Sequence, residues 1–259
     1  MMLEVNNLRF AYTNHEVLAG VSFKATAGEC LCLLGENGAG KTTLFRCLLG
    51  LLRGFTGEIC INGIRSQKLS IRETAKTIAY IPQAHAPAFN YSVFDTVLMG
   101  TNPQIESYRS PGIAEYETAL NALKLLKVDH LSDRGYAQIS GGERQLVLIA
   151  RALAQQSRVL VMDEPTANLD YGNQIRVMRQ VKLLAQQGYL VVLSTHNPEH
   201  ALTYADNVLV LKQGKVLTHG HPASVLTPEV IQQIYGVSVE LFTLPSATGC
   251  IPTFCPCPK

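Results

Sequence analysis

Hydrophobic positions follow three regimes along this chain. From Leu3-Glu4-Val5 to Phe23-Lys24 they form short alternating runs broken at Asn6-Asn7 and Asn14-His15, the period of antiparallel strands with one wet face. Continuous apolar runs come next: Cys30–Leu34, Thr77–Ile81, Val159–Met162, Leu190–Leu193 and Val208–Leu211. Runs this short and unbroken suit strands covered on both faces, with Lys215–Leu217 as a final partner. Between them, from Val93 to about Gln155, the period turns helical: Ala119, Leu120, Leu123 and Leu126, then Leu146, Ile149, Ala150 and Leu153. Helices are also expected over Thr43–Gly50, with Gly54 and Gly57 at its exit, over Gln174–Gln187 and over Glu229–Tyr235. Strands alternating with helices predict an α/β chain with a mainly parallel core. The helical stretch then reads as an inserted lobe.

Length and charge narrow the class. At 259 residues the chain buries a sizeable core. A net charge of +2, with 16% charged residues, supplies no basic field, so nucleic acid is not an expected partner. No apolar run nears the ~20 residues that span a bilayer, and the start lacks a signal pattern, so a soluble, cytosolic chain is expected. Cys30, Cys32, Cys47 and Cys60 lie in apolar segments and read as small buried hydrophobes. Cys250, Cys255 and Cys257 crowd a Pro-rich tail whose spacing fits no common zinc pattern. That tail reads as disordered, with metal or redox sensing as the alternative.

Chemistry enters at Gly35-Glu36-Asn37-Gly38-Ala39-Gly40-Lys41-Thr42, a GxxxxGK[ST] motif directly after an apolar strand. Its glycines let backbone N–H groups turn toward phosphates, Lys41 reaches the terminal phosphates and the Thr42 hydroxyl suits Mg²⁺. ATP or GTP binding follows. A second buried strand ends at Asp163-Glu164, where one carboxylate can support the metal and the next can polarise water for in-line attack. Taken alone, two acids at a strand end would be an ordinary solvated pair; the phosphate loop changes that reading.

Three further segments narrow the reading: Ile139-Ser140-Gly141-Gly142-Glu143-Arg144-Gln145, Pro165-Thr166-Ala167-Asn168-Leu169-Asp170 and Ser194-Thr195-His196. With the two motifs above, in this order, they make the chain resemble an ABC-transporter ATPase from Tyr12 to about Gly220. The resemblance implies a P-loop NTPase fold of RecA-like type, with an N-terminal antiparallel β subdomain and an inserted α-helical subdomain. One ABC ATPase domain would span 1–259: core at 1–83 and 156–220, helical signature subdomain at 84–155, and C-terminal extension with the Cys/Pro tail at 221–259. By resemblance, Tyr12 stacks on adenine while Gly35, Asn37, Gly38, Gly40, Lys41, Thr42 and Thr43 wrap the phosphates. Thr42, Gln83 and Asp163 hold Mg²⁺, Glu164 is the general base, and Gln83, Lys41 and His196 complete the catalytic set. Ser140, Gly141 and Gly142 would bind the γ-phosphate held by a second copy, giving composite sites, with Asp170 at the seam. Helix N–H groups opening at a Gly-Gly turn suit an anion. Outside this context His196 would read as a solvent-facing histidine and Tyr12 as a packed aromatic; His200 and the other histidines read as ordinary surface or packing residues.

One departure stands out. The usual LSGGQ signature has Ile139 and Glu143 here, and the added charge of Glu143 near a phosphate-binding turn would weaken closure unless offset. The resemblance implies a permease dimer as partner, contacted through Gln83 to Val93, a stretch that would otherwise be local packing. An extracytoplasmic binding protein would take part indirectly, and the chain would lie peripherally on the cytoplasmic side of the cell membrane. The stretch Asp95–Gly100 is similar to importers of iron chelates, haem and cobalamin, although Thr101 stands where some carry Arg. Iron–siderophore is the first expected cargo, ahead of cobalamin, haem and molybdate. An exporter ATPase or a soluble non-transport ABC ATPase are the alternatives.

Overall fold

A computed structural model describes residues 2–83, 90–106, 109–246 and 249–257. Strands β1 (Met2–Tyr12) and β2 (His15–Thr26) pair antiparallel and join β4 (Thr56–Ile61) and the two-residue β5 (Ile64–Arg65) in a sheet ordered β2-β1-β4-β5. Their alternation puts Leu3, Val5, Leu8 and Phe10 on the covered face. A six-stranded sheet lies at the centre. It uses β3 (Cys30–Leu34), β6 (Ile78–Ile81), β7 (Val159–Met162), β8 (Leu190–Thr195), β9 (Asn207–Lys212) and β10 (Lys215–Gly220), ordered β10-β9-β3-β8-β7-β6. All neighbours in it are parallel except β9 and β10.

The central strands lack polar alternation because both faces are covered. Cys30, Cys32 and Leu34 enter one core with Leu160, Met162, Val191 and Leu193, whereas Leu31 and Leu33 enter the other with Val159, Val161 and Val192. Helix α1 (Lys41–Leu48) and the antiparallel sheet cover the second face. The first face receives α5 (Gly141–Ala154), α6 (Tyr171–Gln186) and α7 (Pro198–Tyr204). A helical lobe is built from α3 (Val93–Leu98) and α4 (Ile113–Leu125), which pack on each other and on α5.

Other elements depart from the sequence reading. Helix α2 (Ile71–Thr77) was not anticipated, although Ser70 and Glu73 form a capping box that starts it: Glu73 N–H donates to Ser70 Oγ, and Ser70 N–H to Glu73 Oε2. Cys60 is half-buried rather than buried, unlike Cys30, Cys32 and Cys47.

The expected disordered tail is also corrected. After α8 (Pro222–Val225) and α9 (Pro228–Tyr235), strands β11 (Val239–Ser246) and β12 (Gly249–Pro256) form an antiparallel hairpin. Its order has a tertiary cause: Glu199 Oε1 on α7 accepts from Phe254 N–H at 2.7 Å and from the Thr253 hydroxyl at 3.1 Å, while Phe254 packs on the core. Cys255 and Cys257 are free thiols on this hairpin; the side chain of Cys250 lies outside the described residues.

Candidate active site

The loop between β3 and α1 turns back sharply. Gly38 and Gly40 have φ of +84° and +104°, values that side-chain-bearing residues reach only at a cost of about 1–2 kcal/mol. A Cβ on Gly40 would also lie 3.0 Å from the Val17 carbonyl oxygen, and one on Gly35 2.4 Å from that of Leu211. Strand β2 and the end of β9 therefore press directly on the loop. Gly214, in the β9–β10 turn, donates its N–H to Ala39 O at 3.1 Å and fastens the loop from below.

Lys41 is 6% exposed, and its ammonium donates to the carbonyl oxygens of Gly35 at 2.7 Å and Glu36 at 3.1 Å. Glu164 Oε1 lies 3.7 Å away. Burial pulls the Lys41 pKa below its ordinary value, with Glu164 and Asp163 opposing the shift. An anion beside the ammonium would favour its charged form, which suits a phosphate subsite.

Three hydroxyls organise Asp163. Thr42 Oγ1 donates to its Oδ2 at 2.9 Å, Tyr80 Oη to the same oxygen at 3.4 Å, and Ser194 Oγ to Oδ1 at 2.6 Å. Burial, then Asp163, pushes the Tyr80 phenol up to about 12, so it remains a donor. Ser194, itself fully buried, accepts from the Glu164 N–H at 3.0 Å. That bond fixes a residue in the left-handed region, since Glu164 has φ of +45°; such strain costs about 1–3 kcal/mol and clusters at functional sites. Glu164 Oε2 faces His196 Nδ1 at 3.1 Å.

Two cavities meet at Glu164. One, of about 210 Å³, is lined by Tyr12, Val17, Asn37–Thr43 and Glu164. The other, of about 250 Å³, takes Gln83, Thr166, Asn168, His196 and His200 among its walls. Tyr12 is 41% exposed and packs with Phe10 in a T-shaped pair at 4.9 Å between ring centroids. The donor set fits a hard cation: Thr42 Oγ1 and Asp163 Oδ2 already lie together, and oxygen ligands with phosphates and water are what Mg²⁺ prefers. No cluster of three or more His, Cys, Asp or Glu that could hold a metal occurs among the described residues.

Ser140, Gly141 and Gly142 line neither cavity. Ser140 caps α5, and Glu143 closes a capping box, with Ser140 N–H to Glu143 Oε2 at 2.7 Å and Glu143 N–H to Ser140 Oγ at 3.3 Å. The Ser140 hydroxyl, then its N–H, holds the Glu143 carboxyl below the usual range. Its negative charge thus serves the helix N-terminus. Gly142 leaves room for Asn173: a Cβ there would lie 2.3 Å from the Asn173 amide carbon, and both Asp170 carboxylate oxygens hold Asn173, at 2.8 and 2.7 Å. Of the stretch Gln83 to Val93, residues 84–89 lie outside the described residues; Tyr91 is exposed and Val93 is buried.

Sequence reasoning passed over Val17, Tyr80, Gly214 and the bridging role of Ser194, because each acts through a contact distant in sequence. It also set aside His200, whose Nδ1 lies 3.4 Å from Thr166 Oγ1 and whose pKa burial and His196 lower.

A family model described as ABC transporter matches residues 18–167. The chain is 43% identical to an uncharacterized ABC transporter ATP-binding protein of Haemophilus influenzae, over 93% of this chain and 92% of that one. It is 34% identical to the hemin import ATP-binding protein HmuV of Myxococcus xanthus, covering 96% and 95%. Among solved structures, one of a transporter assigned to the metal-chelate type, in an inward-facing conformation, superposes with a TM-score of 0.88 at 32% identity, over 99% of this chain and 98% of that one.

Proposed function

Since the chain belongs to the ABC transporter family and is an ATPase of that family, we propose that it energises import of a metal chelate through a separate permease, iron–siderophore first, with haem, cobalamin or molybdate behind it. The convergence of Lys41, Glu164 and His196 on two adjoining cavities, with Asp163 bonded to Thr42 of the first, carries the reading of the site. Gly35, Asn37, Gly38, Gly40, Lys41, Thr42 and Thr43 bind the phosphates of ATP and Tyr12 the adenine. Thr42, Asp163 and Gln83 hold Mg²⁺, whose charge offsets that developing on the phosphates. Glu164, oriented by His196 and by the Ser194 bond to its N–H, takes the proton of the attacking water.

A second copy completes each site. The Ser140–Gly142 turn opens a helix but does not line the chain's own phosphate loop cavity, which favours a role on the nucleotide of a partner subunit. The metal-chelate and hemin-import relatives support import, and cargo is chosen by the permease and an extracytoplasmic binding protein, neither part of this chain. No helix among the described residues is long and apolar enough to cross a membrane, consistent with peripheral attachment through the permease.

The test is to tag the chain in its host, trap ATP with Glu164→Gln, solubilise membranes in detergent and identify co-purifying proteins by mass spectrometry. A stoichiometric polytopic permease is the expected result. Recovery from the soluble fraction without one refutes the transporter-bound role and favours a soluble ABC ATPase.

A further inference from the structure

The stretch after Gly220 does more than close the fold. Tyr235, the last residue of α9, is half-buried, and its hydroxyl donates to the backbone carbonyl oxygen of His196 at 2.7 Å. That carbonyl sits just past the end of β8. Three residues on, Glu199 opens α7 and accepts both the Phe254 N–H and the Thr253 hydroxyl from the hairpin. The four residues from His196 to Glu199 are therefore gripped at one end by α9 and at the other by β12. Inside the loop, Asn197 Oδ1 caps α7 through the Glu199 N–H at 2.9 Å, so a displacement at either grip is passed along a stiff segment.

Helix α9 is itself fixed. Gly236, at φ of +71°, closes it, Lys212 on β9 donates to the Gln233 carbonyl oxygen, and Ile231 and Ile234 are buried. The phenol is held above its ordinary pKa, chiefly by burial and then by Cys32, Glu36 and Glu164, so it stays a donor.

We infer that Tyr235 is a positioning residue for ATP hydrolysis: by holding the His196 carbonyl it sets where the imidazole meets Glu164 and the terminal phosphate, and the 228–257 extension anchors that loop. This rests on the reading of His196 given above. Tyr235→Phe keeps the ring and removes one hydrogen bond, so kcat should fall about five- to tenfold, the size of one neutral hydrogen bond. KM, the dissociation constant of a fluorescent ATP analogue and the Tm should stay near wild type. Glu199→Ala, which frees the hairpin from α7, should lower kcat in the same manner.

Both are measured on the full chain, beside His196→Ala. Wild-type kcat in Tyr235→Phe, with His196→Ala inactive, overturns the positioning role alone. A kcat loss in Tyr235→Phe matched by weaker nucleotide binding and a lower Tm also overturns it, since that is general destabilisation. Wild-type hydrolysis by His196→Ala overturns both this inference and the reading of His196.

Discussion

Ser194 is the joint of the proposed active site, and Ser194→Ala tests that directly. The substitution removes a hydroxyl that is 0% exposed and makes two bonds, a charge-assisted one to Asp163 Oδ1 at 2.6 Å and one from the Glu164 N–H at 3.0 Å. A hydrogen bond to a charged group is worth about 1.5–3 kcal/mol and a neutral one about 0.5–1.5 kcal/mol, so the loss should total roughly 3 kcal/mol. For a chain of 259 residues the unfolding entropy near Tm is about 0.5 kcal/mol per kelvin, and the Tm should drop by about 5–6 °C. The effect on activity follows from backbone strain. Glu164 sits at φ of +45°, held there in part through the bond Ser194 accepts, and once released its carboxylate would swing from His196 and Lys41. If about 1.4–2.8 kcal/mol of the loss appears in the transition state, kcat falls ten- to a hundredfold. Calorimetry and phosphate release at saturating Mg-ATP measure both. A Tm within one degree of wild type together with kcat within twofold would refute the reasoning.

Other substitutions probe the rest of the site. Gly142→Ala puts a Cβ 2.3 Å from the Asn173 amide carbon, so that side chain must leave Asp170; hydrolysis should fall at least tenfold while nucleotide binding by the isolated chain is kept, as filter binding beside turnover will reveal. Asp163→Asn removes the carboxylate that Thr42 Oγ1 contacts at 2.9 Å and should raise the Mg²⁺ concentration for half-maximal hydrolysis at least tenfold, read by titration after chelation. Glu143→Gln retains an N3 acceptor for the capping box, so turnover at pH 7.5 should match wild type. Glu73, Glu115, Glu143 and Glu229 are held below the usual carboxyl range by capping hydrogen bonds at helix starts. Their stabilisation is present above the unfolded Glu pKa of about 4.3 and disappears as pH falls through the lower folded values, so Tm should fall between pH 5 and pH 3. Glu143→Gln should show a shallower fall.

Much of this was written in local sequence. Five apolar runs without alternation announce strands covered on both faces, and the alternating opening announces the antiparallel sheet, because side-chain period follows directly from backbone geometry. The GxxxxGK[ST] segment is equally local: its glycines at positive φ and its lysine act within eight residues. What one-dimensional patterns did not carry were pairings made across the fold. Ser194 joins Asp163 and Glu164 from 30 residues away, Gly214 fastens the phosphate loop, and Asn173 fills the space Gly142 leaves open. The C-terminal hairpin is the sharpest case. Its Pro- and Cys-rich composition reads as tail, yet a carboxylate on α7 accepts its donors and the core takes Phe254, contacts fixed only once residues 199 and 254 meet. Local sequence determined the elements and the candidate reacting groups; the tertiary structure decided which hydroxyls and carbonyls hold them, because buried polar groups must find partners wherever the chain brings them.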